Sequence, residues 1–258
     1  MAKPMTLSLC HLYPDLMDTY GDLGNIITII KRCKARDIKV DLKNISLNDK
    51  LTSENYDFYF FGGGQDKAQN IVSKDLAKKE KFLKKEISEG AVLLSICGGY
   101  QLLQKYFKTK EGKVINGIGI FNAYTQGSDL RMIQNLEIEI NPKIFSQITG
   151  IYPTTISTLV GFENHSGKTY LEDETFPLGT VLWGNGNNGE NKQEGAVNFN
   201  AFGTYMHGSL LPKNPHFADF LITKALERNY GKINLRPLDD WLEWAAHEQA
   251  IKRIRSQN

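Results

Sequence analysis

A cysteine followed by two glycines can do chemistry. Cys97 ends the apolar run AVLLSI, residues 91–96, and Gly98, Gly99 and an amphipathic stretch follow it. A nucleophile on a sharp strand-to-helix turn needs small neighbours, because the backbone passes close to itself. The partial positive charge of the helix N-terminus favours a thiolate, the reactive form of the group. The N–H of Gly98 would face the oxyanion formed when a thiolate attacks an acyl carbon. The competing reading is a buried structural cysteine, and Cys10 and Cys33 are assigned to that class. A thiolate also needs a base. His207, ending GTYMH, and His165, inside GFENHSG, are the two candidates, and spacing does not choose between them. A second glycine loop, FFGGGQD (residues 60–66), follows another apolar run. It reads as a tight turn or as N–H groups cradling an oxyanion or phosphate; no Gly-Lys-Ser/Thr follows, so it is not a P-loop.

The elements that must position these residues alternate. Residues 5–12, 56–61 and 91–96 read as strands, and residues 22–36, 66–88 and 98–107 as helices with apolar residues at helical spacing. Such alternation predicts an α/β fold, a mixed, mostly parallel sheet flanked by helices, with ligand groups at the carboxyl ends of strands. The second half reads differently. Short alternating stretches at 136–140 and 180–183, Gly/Asn-rich loops (above all residues 184–195) and a strand at 203–207 suggest antiparallel or mixed pairing. The chain reads as one domain over residues 5–214 with a helical C-terminal extension over 215–258. That extension carries Trp241 and Trp244, and either packs on the domain or docks a partner.

The 258 residues carry a net charge of +2, and the lysine pairs at 78–79 and 84–85 are interrupted by Glu80 and Glu86. That balance argues against a nucleic-acid partner. Three cysteines without ligand spacing argue against a disulfide framework or a metal site, so no metal is expected. The N-terminal apolar stretch is broken by Pro14 and Asp15, too short for a signal peptide or a membrane span. A cytoplasmic protein is the expectation.

Taken together, SICGGYQLL resembles the nucleophile motif of class I, triad-type glutamine amidotransferases, and FFGGGQD their oxyanion loop. YMHGSLL and GFENHSGKT resemble motifs of the branch that includes cobyric acid synthase. Closer still is the resemblance to the GatD-type glutaminase subunits. HLYPDLMDTYGDLGN, FFGGGQD, ICGGYQLL, GFENHSGKTY, GNGNN and GTYMHG look like segments of that family in the same order, over about residues 9–211. The resemblance implies a glutaminase. Cys97 would attack the side-chain amide of L-glutamine, His207 would move the protons, and N–H groups near Gly64 and at Gly98 would hold the oxyanion. Gln101 matches a glutamine that contacts substrate, and Arg131 an arginine implicated in binding it, a role its fork suits through the α-carboxylate. Ammonia would pass to a MurT-like Mur ligase partner that amidates the D-glutamate α-carboxyl of the lipid II stem peptide, at the inner membrane face. No cofactor is implied in this chain; ATP and Mg would belong to the partner. Many triad-type members carry a glutamate two residues after the histidine, where this chain has Ser209, as the GatD type also departs. The residue orienting His207 is therefore unassigned, with an acid from the partner as one candidate. A glutaminase serving another synthetase, and a non-catalytic scaffold, are the competing readings. Retention of Cys97 and His207 speaks against the scaffold.

Overall fold

A computed structural model describes residues 4–51 and 56–256. The first half forms β1 (Thr6–Leu12), α1 (Leu23–Lys34), β2 (Lys39–Ile45), β3 (Phe58–Phe61), α2 (Asp66–Ser88), β4 (Val92–Ile96) and α3 (Gly98–Leu102). β3 and β4 are buried at every position, as a strand covered on both faces must be, and both read as continuous apolar runs. The second half adds β5 (Tyr106–Lys108), β6 (Val114–Asn116), β7 (Ala123–Ile140), α4 (Pro142–Thr149) and β8 (Thr158–Leu171). β9 (Gly179–Trp183), β10 (Gln193–Glu194), β11 (Ala196–Asn198), β12 (Ala201–Thr204), α5 (Pro215–Tyr230) and α6 (Trp241–Arg255) complete it.

Two six-stranded sheets result. The first runs β11-β12-β4-β3-β1-β2, parallel throughout except for the edge pair β11–β12. From β1 the chain crosses outward to β2; from β3 it crosses the other way to β4. Right-handed crossovers in opposite directions put α1 and α2 on opposite faces. They also leave a crevice where the order reverses, at the carboxyl ends of β1 and β3. The second sheet runs β10-β9-β7-β5-β6 with β8 paired to β7, and is antiparallel apart from β5–β7.

Several sequence readings shift. The helix expected over 98–107 ends at Leu102, because Tyr106–Lys108 leave it to pair with Tyr124, Thr125 and Gln126 of β7. The strand expected at 203–207 is β12, which stops at Thr204; His207 lies past it and bridges to Phe162 of β8. The sequence does not mark β2, β8 or the part of β7 before residues 136–140. β2 is an edge strand exposed along most of its length, so it lacks the apolar run that marks its neighbours.

In the C-terminal region, α5 is buried along its first two turns and joins the main core. It packs on α1. A buried ion cluster locks the two together. Arg32 of α1 reaches Asp219 of α5 at 2.6 Å and Asp240, just before α6, at 2.7 Å, while Arg36 reaches Asp219 at 2.5 Å. α6 turns inward with His247 and Ile254. Of its two tryptophans, Trp244 donates its indole N–H to the Tyr152 hydroxyl (3.2 Å), whereas Trp241 is exposed. No helix among the described residues is long and apolar enough to cross a membrane.

Candidate active site

Four neighbouring parallel strands, β12, β4, β3 and β1, deliver His207, Cys97, the glycines 62–64 and Asp22 from their carboxyl ends. Cys97 follows β4 directly, with φ 48° and ψ −104°, a conformation that L-residues rarely adopt. Such strain costs on the order of 1–3 kcal/mol and persists only where surroundings impose it. Here the Cys97 N–H donates to the Thr204 carbonyl (2.8 Å), the Cys97 carbonyl accepts from Gln101 N–H (2.9 Å), and Gly99 N–H donates to Gly62 O (3.2 Å). The glycines are needed for that approach. A Cβ on Gly98 would sit 2.6 Å from Gly64 O and 2.7 Å from Gly64 N, and one on Gly99 2.6 Å from Phe61 O. The glycine loop therefore lies directly on the elbow, with the backbones of residues 64 and 98 side by side. Gln69 fixes that loop, donating to Gly64 O and to Gln101 Oε1, both at 3.0 Å.

His207 is sealed from solvent. Its backbone exchanges both hydrogen bonds with Phe162 (2.7 and 3.2 Å), and its ring meets the edge of Tyr20. Nδ1 lies 3.2 Å from Asp22 Oδ1, leaving Nε2 for the Cys97 side. Burial works against a charge on His207. Cys97 and then Asp22 outweigh it and push the pKa up to about 10. Cys33, by contrast, has its thiol pushed up to about 12, chiefly by burial, which suits an inert core residue. Cys10 is buried too.

Asp22 is the functional residue that sequence reasoning missed. It sits at the start of α1, yet its carboxylate does not cap the helix; Asp18 Oδ1 accepts from Leu23 N–H there (2.8 Å). Asp22 instead accepts from Gly63 N–H (2.8 Å) and holds His207. Ser209, where other members carry glutamate, points away and donates to Gly21 O at 2.6 Å. The chain thus supplies its own acid for His207.

Cys97 opens into a cavity of about 410 Å³, whose wall includes Gly64, Gln101, Arg131 and His165. Gln101 is held at both ends, its Oε1 by Gln69 and its Nε2 on the Tyr205 hydroxyl (3.1 Å). Arg131 lies within β7 where the register to β8 shifts. The irregularity aims its guanidinium at the cavity mouth, with Nε donating to Asn164 Oδ1 (3.0 Å) and a terminal nitrogen to the Tyr20 hydroxyl (3.4 Å). A thiol, an imidazole and a carboxylate in this order, beside clustered backbone N–H groups, can run nucleophilic acyl transfer.

The profile of the CobB/CobQ-like glutamine amidotransferase domain matches residues 8–215. The chain belongs to that family. Among similar amidotransferases, the GatD subunit of the lipid II isoglutaminyl synthase (glutamine-hydrolyzing) of Staphylococcus aureus is 38% identical over 97% of this chain and 97% of its own length. The same subunit of Streptococcus pneumoniae is 39% identical over 95% of this chain and 91% of its own length. A probable cobyric acid synthase of Methanococcus maripaludis is 34% identical over 64% of this chain, but only 33% of its own length. Among solved structures, PurLQS from Thermotoga maritima shares the fold at a TM-score of 0.58 with 13% identity, covering 86% of this chain and 98% of that one.

Within this amidotransferase the rival histidine is also accounted for. His165 lies inside β8. It stacks on Tyr205 with ring centroids 3.6 Å apart, and its Nδ1 is bonded to Gly167 O at 2.9 Å. Glu163 lies 3.8 Å from its other nitrogen. That glutamate is held below the usual range despite its burial, by His165 and by Asn185. His165 lines the cavity with its ring nitrogens facing Gly167 O and Glu163, whereas His207 interacts with the Cys97 side chain, so geometry separates two histidines that spacing did not.

Proposed function

We propose that the chain is the glutaminase subunit of a lipid II isoglutaminyl synthase, releasing ammonia from L-glutamine for an ATP-dependent Mur-ligase-like partner. The observation that carries the proposal is the Asp22–His207 pair set behind Cys97, at the floor of a cavity with Arg131 at its mouth. Near-full-length similarity to two GatD subunits supports the choice of reaction.

Cys97 Sγ, as thiolate, attacks Cδ of the glutamine side-chain amide. The carbonyl oxygen becomes an oxyanion, received by the N–H groups of Gly98 and Gly64. His207, protonated, gives its proton to the amide nitrogen; the C–N bond breaks and ammonia leaves. The thioester then accepts a water whose proton His207 removes. Collapse of the second tetrahedral intermediate expels the thiolate and frees glutamate. Asp22 keeps the imidazole in the tautomer that presents Nε2 to sulfur. Arg131 takes the α-carboxylate, and Gln101 closes the wall beside the elbow.

The ammonia serves a partner of the MurT type, which holds ATP and Mg and activates the D-glutamate α-carboxyl of the stem peptide. The two chains work as a heterodimer at the inner membrane face, where the lipid-linked substrate is found. A cobyric acid synthase-like role is the second reading. It is weaker, because those relatives match over about a third of their own length. The test is reconstitution with a Mur-ligase-like partner, lipid II, ATP and glutamine. The proposal expects the carboxyl-to-carboxamide mass change on the stem peptide. Ammonia release with unchanged lipid II would leave a glutaminase serving another synthetase.

A further inference from the structure

We infer that Asp66 receives the α-ammonium group of the substrate and so restricts the site to amides of free α-amino acids. The inference rests on the glutaminase reading and names a specificity residue within it.

Free glutamine is a zwitterion at its α-carbon, and Arg131 answers only the carboxylate half. Among the residues lining the cavity, Arg131 and Lys67 are cationic and Asp66 is the sole carboxylate. Gln65 and Ser166 offer neutral acceptors there, but an ammonium leaving water gains most from an anion. Asp66 is placed by the same device that builds the oxyanion wall. Two residues after Gly64 it opens α2, so the loop beside the elbow and the carboxylate are positioned together. It is exposed and open to the cavity. Partial burial, and then the charge of Glu111, hold its carboxyl above the ordinary range. The charged neighbour that weighs on it is thus a second carboxylate, and a bound cation would relieve both effects.

An acidic residue in the first turn of a helix also has a plain explanation, since it complements the helix dipole. The two roles separate in kinetics. Ammonia release is measured for L-glutamine and for glutaramate, the same amide without its α-amino group. Wild type, Asp66→Asn and Asp66→Glu are compared, each with its synthetase partner. Wild type is expected to prefer glutamine. Asp66→Asn is expected to lower kcat/KM for glutamine about 10- to 100-fold, mainly through KM, the range for one charge-assisted hydrogen bond. Its rate on glutaramate stays unchanged, so the preference collapses, and Asp66→Glu restores part of it. Equal losses on both amides would assign Asp66 to the oxyanion loop or the helix and overturn the inference. An undiminished preference in Asp66→Asn overturns it too. Folded wild type that releases no ammonia from glutamine would instead sink the glutaminase reading, and this inference with it.

Discussion

Nδ1 of His207 lies 3.2 Å from Oδ1 of Asp22, and neither side chain is open to solvent. The two residues are 185 positions apart in sequence and meet because β1 and β12 end on the same edge of one parallel sheet. Asp22→Asn removes the charge and leaves an amide that can present the wrong group to the ring. We expect kcat for glutamine hydrolysis to fall on the order of 10²- to 10⁴-fold, with KM little changed. Steady-state ammonia release checks this. A loss of less than about tenfold would mean that His207 is oriented from elsewhere.

The charge on His207 depends on Cys97 more than on Asp22. With its pKa near 10 in the folded chain, above the usual 6.5, the imidazolium contributes stability in full below about 6.5. That contribution is lost as pH rises through about 10. Cys97→Ala removes the larger of the two favourable partners while burial still opposes the charge. The His207 pKa is therefore expected to drop in that variant, read by titration of the imidazole resonances. The alkaline loss of stability should move to lower pH with it. An unchanged titration would contradict the pairing.

The two atoms nearest a Cβ on Gly98 are backbone atoms of Gly64, at 2.6 and 2.7 Å, so an added methyl cannot be accommodated by side-chain rotation. Gly98→Ala is expected to push the elbow off the glycine loop. The activity loss should be about 10²-fold or more, comparable to loss of an oxyanion donor. The overpacking costs on the order of 1–3 kcal/mol of stability. Activity and denaturant midpoints measured together check both parts.

Arg32 has no part in the chemistry, and its removal tests the fold alone. Two buried carboxylates, Asp219 and Asp240, lean on it. Arg32→Ala is expected to cost about 3–5 kcal/mol, the range for breaking a buried pair on one side. Urea unfolding checks the figure. A cost near that of a surface ion pair, below ~1 kcal/mol, would show that Arg36 and water compensate.

What was legible in the sequence follows from burial. β3 and β4 are covered on both faces, so their apolar runs and the glycines at their ends stood out. The elbow at Cys97 was readable for the same reason. Asp22 was not, because a buried carboxylate declares itself only through distant partners, here Gly63 and His207. β8 and the part of β7 before residue 136 were hidden by function. Asn164, His165 and Ser166 are successive polar residues that all line the cavity with Arg131, so these stretches lack the apolar alternation that marks residues 136–140. The role of Ser209 was equally invisible, since only the fold shows it bonded to Gly21 rather than turned to the histidine.

The central claim is that Cys97 is a glutaminase nucleophile. The most direct measurement is ammonia release from L-glutamine by wild type and Cys97→Ala, each alone and with a Mur-ligase-like partner. The account predicts release by wild type, stronger with the partner, and none above background from folded Cys97→Ala. Equal release by both proteins, or none by wild type in any mixture, would contradict it.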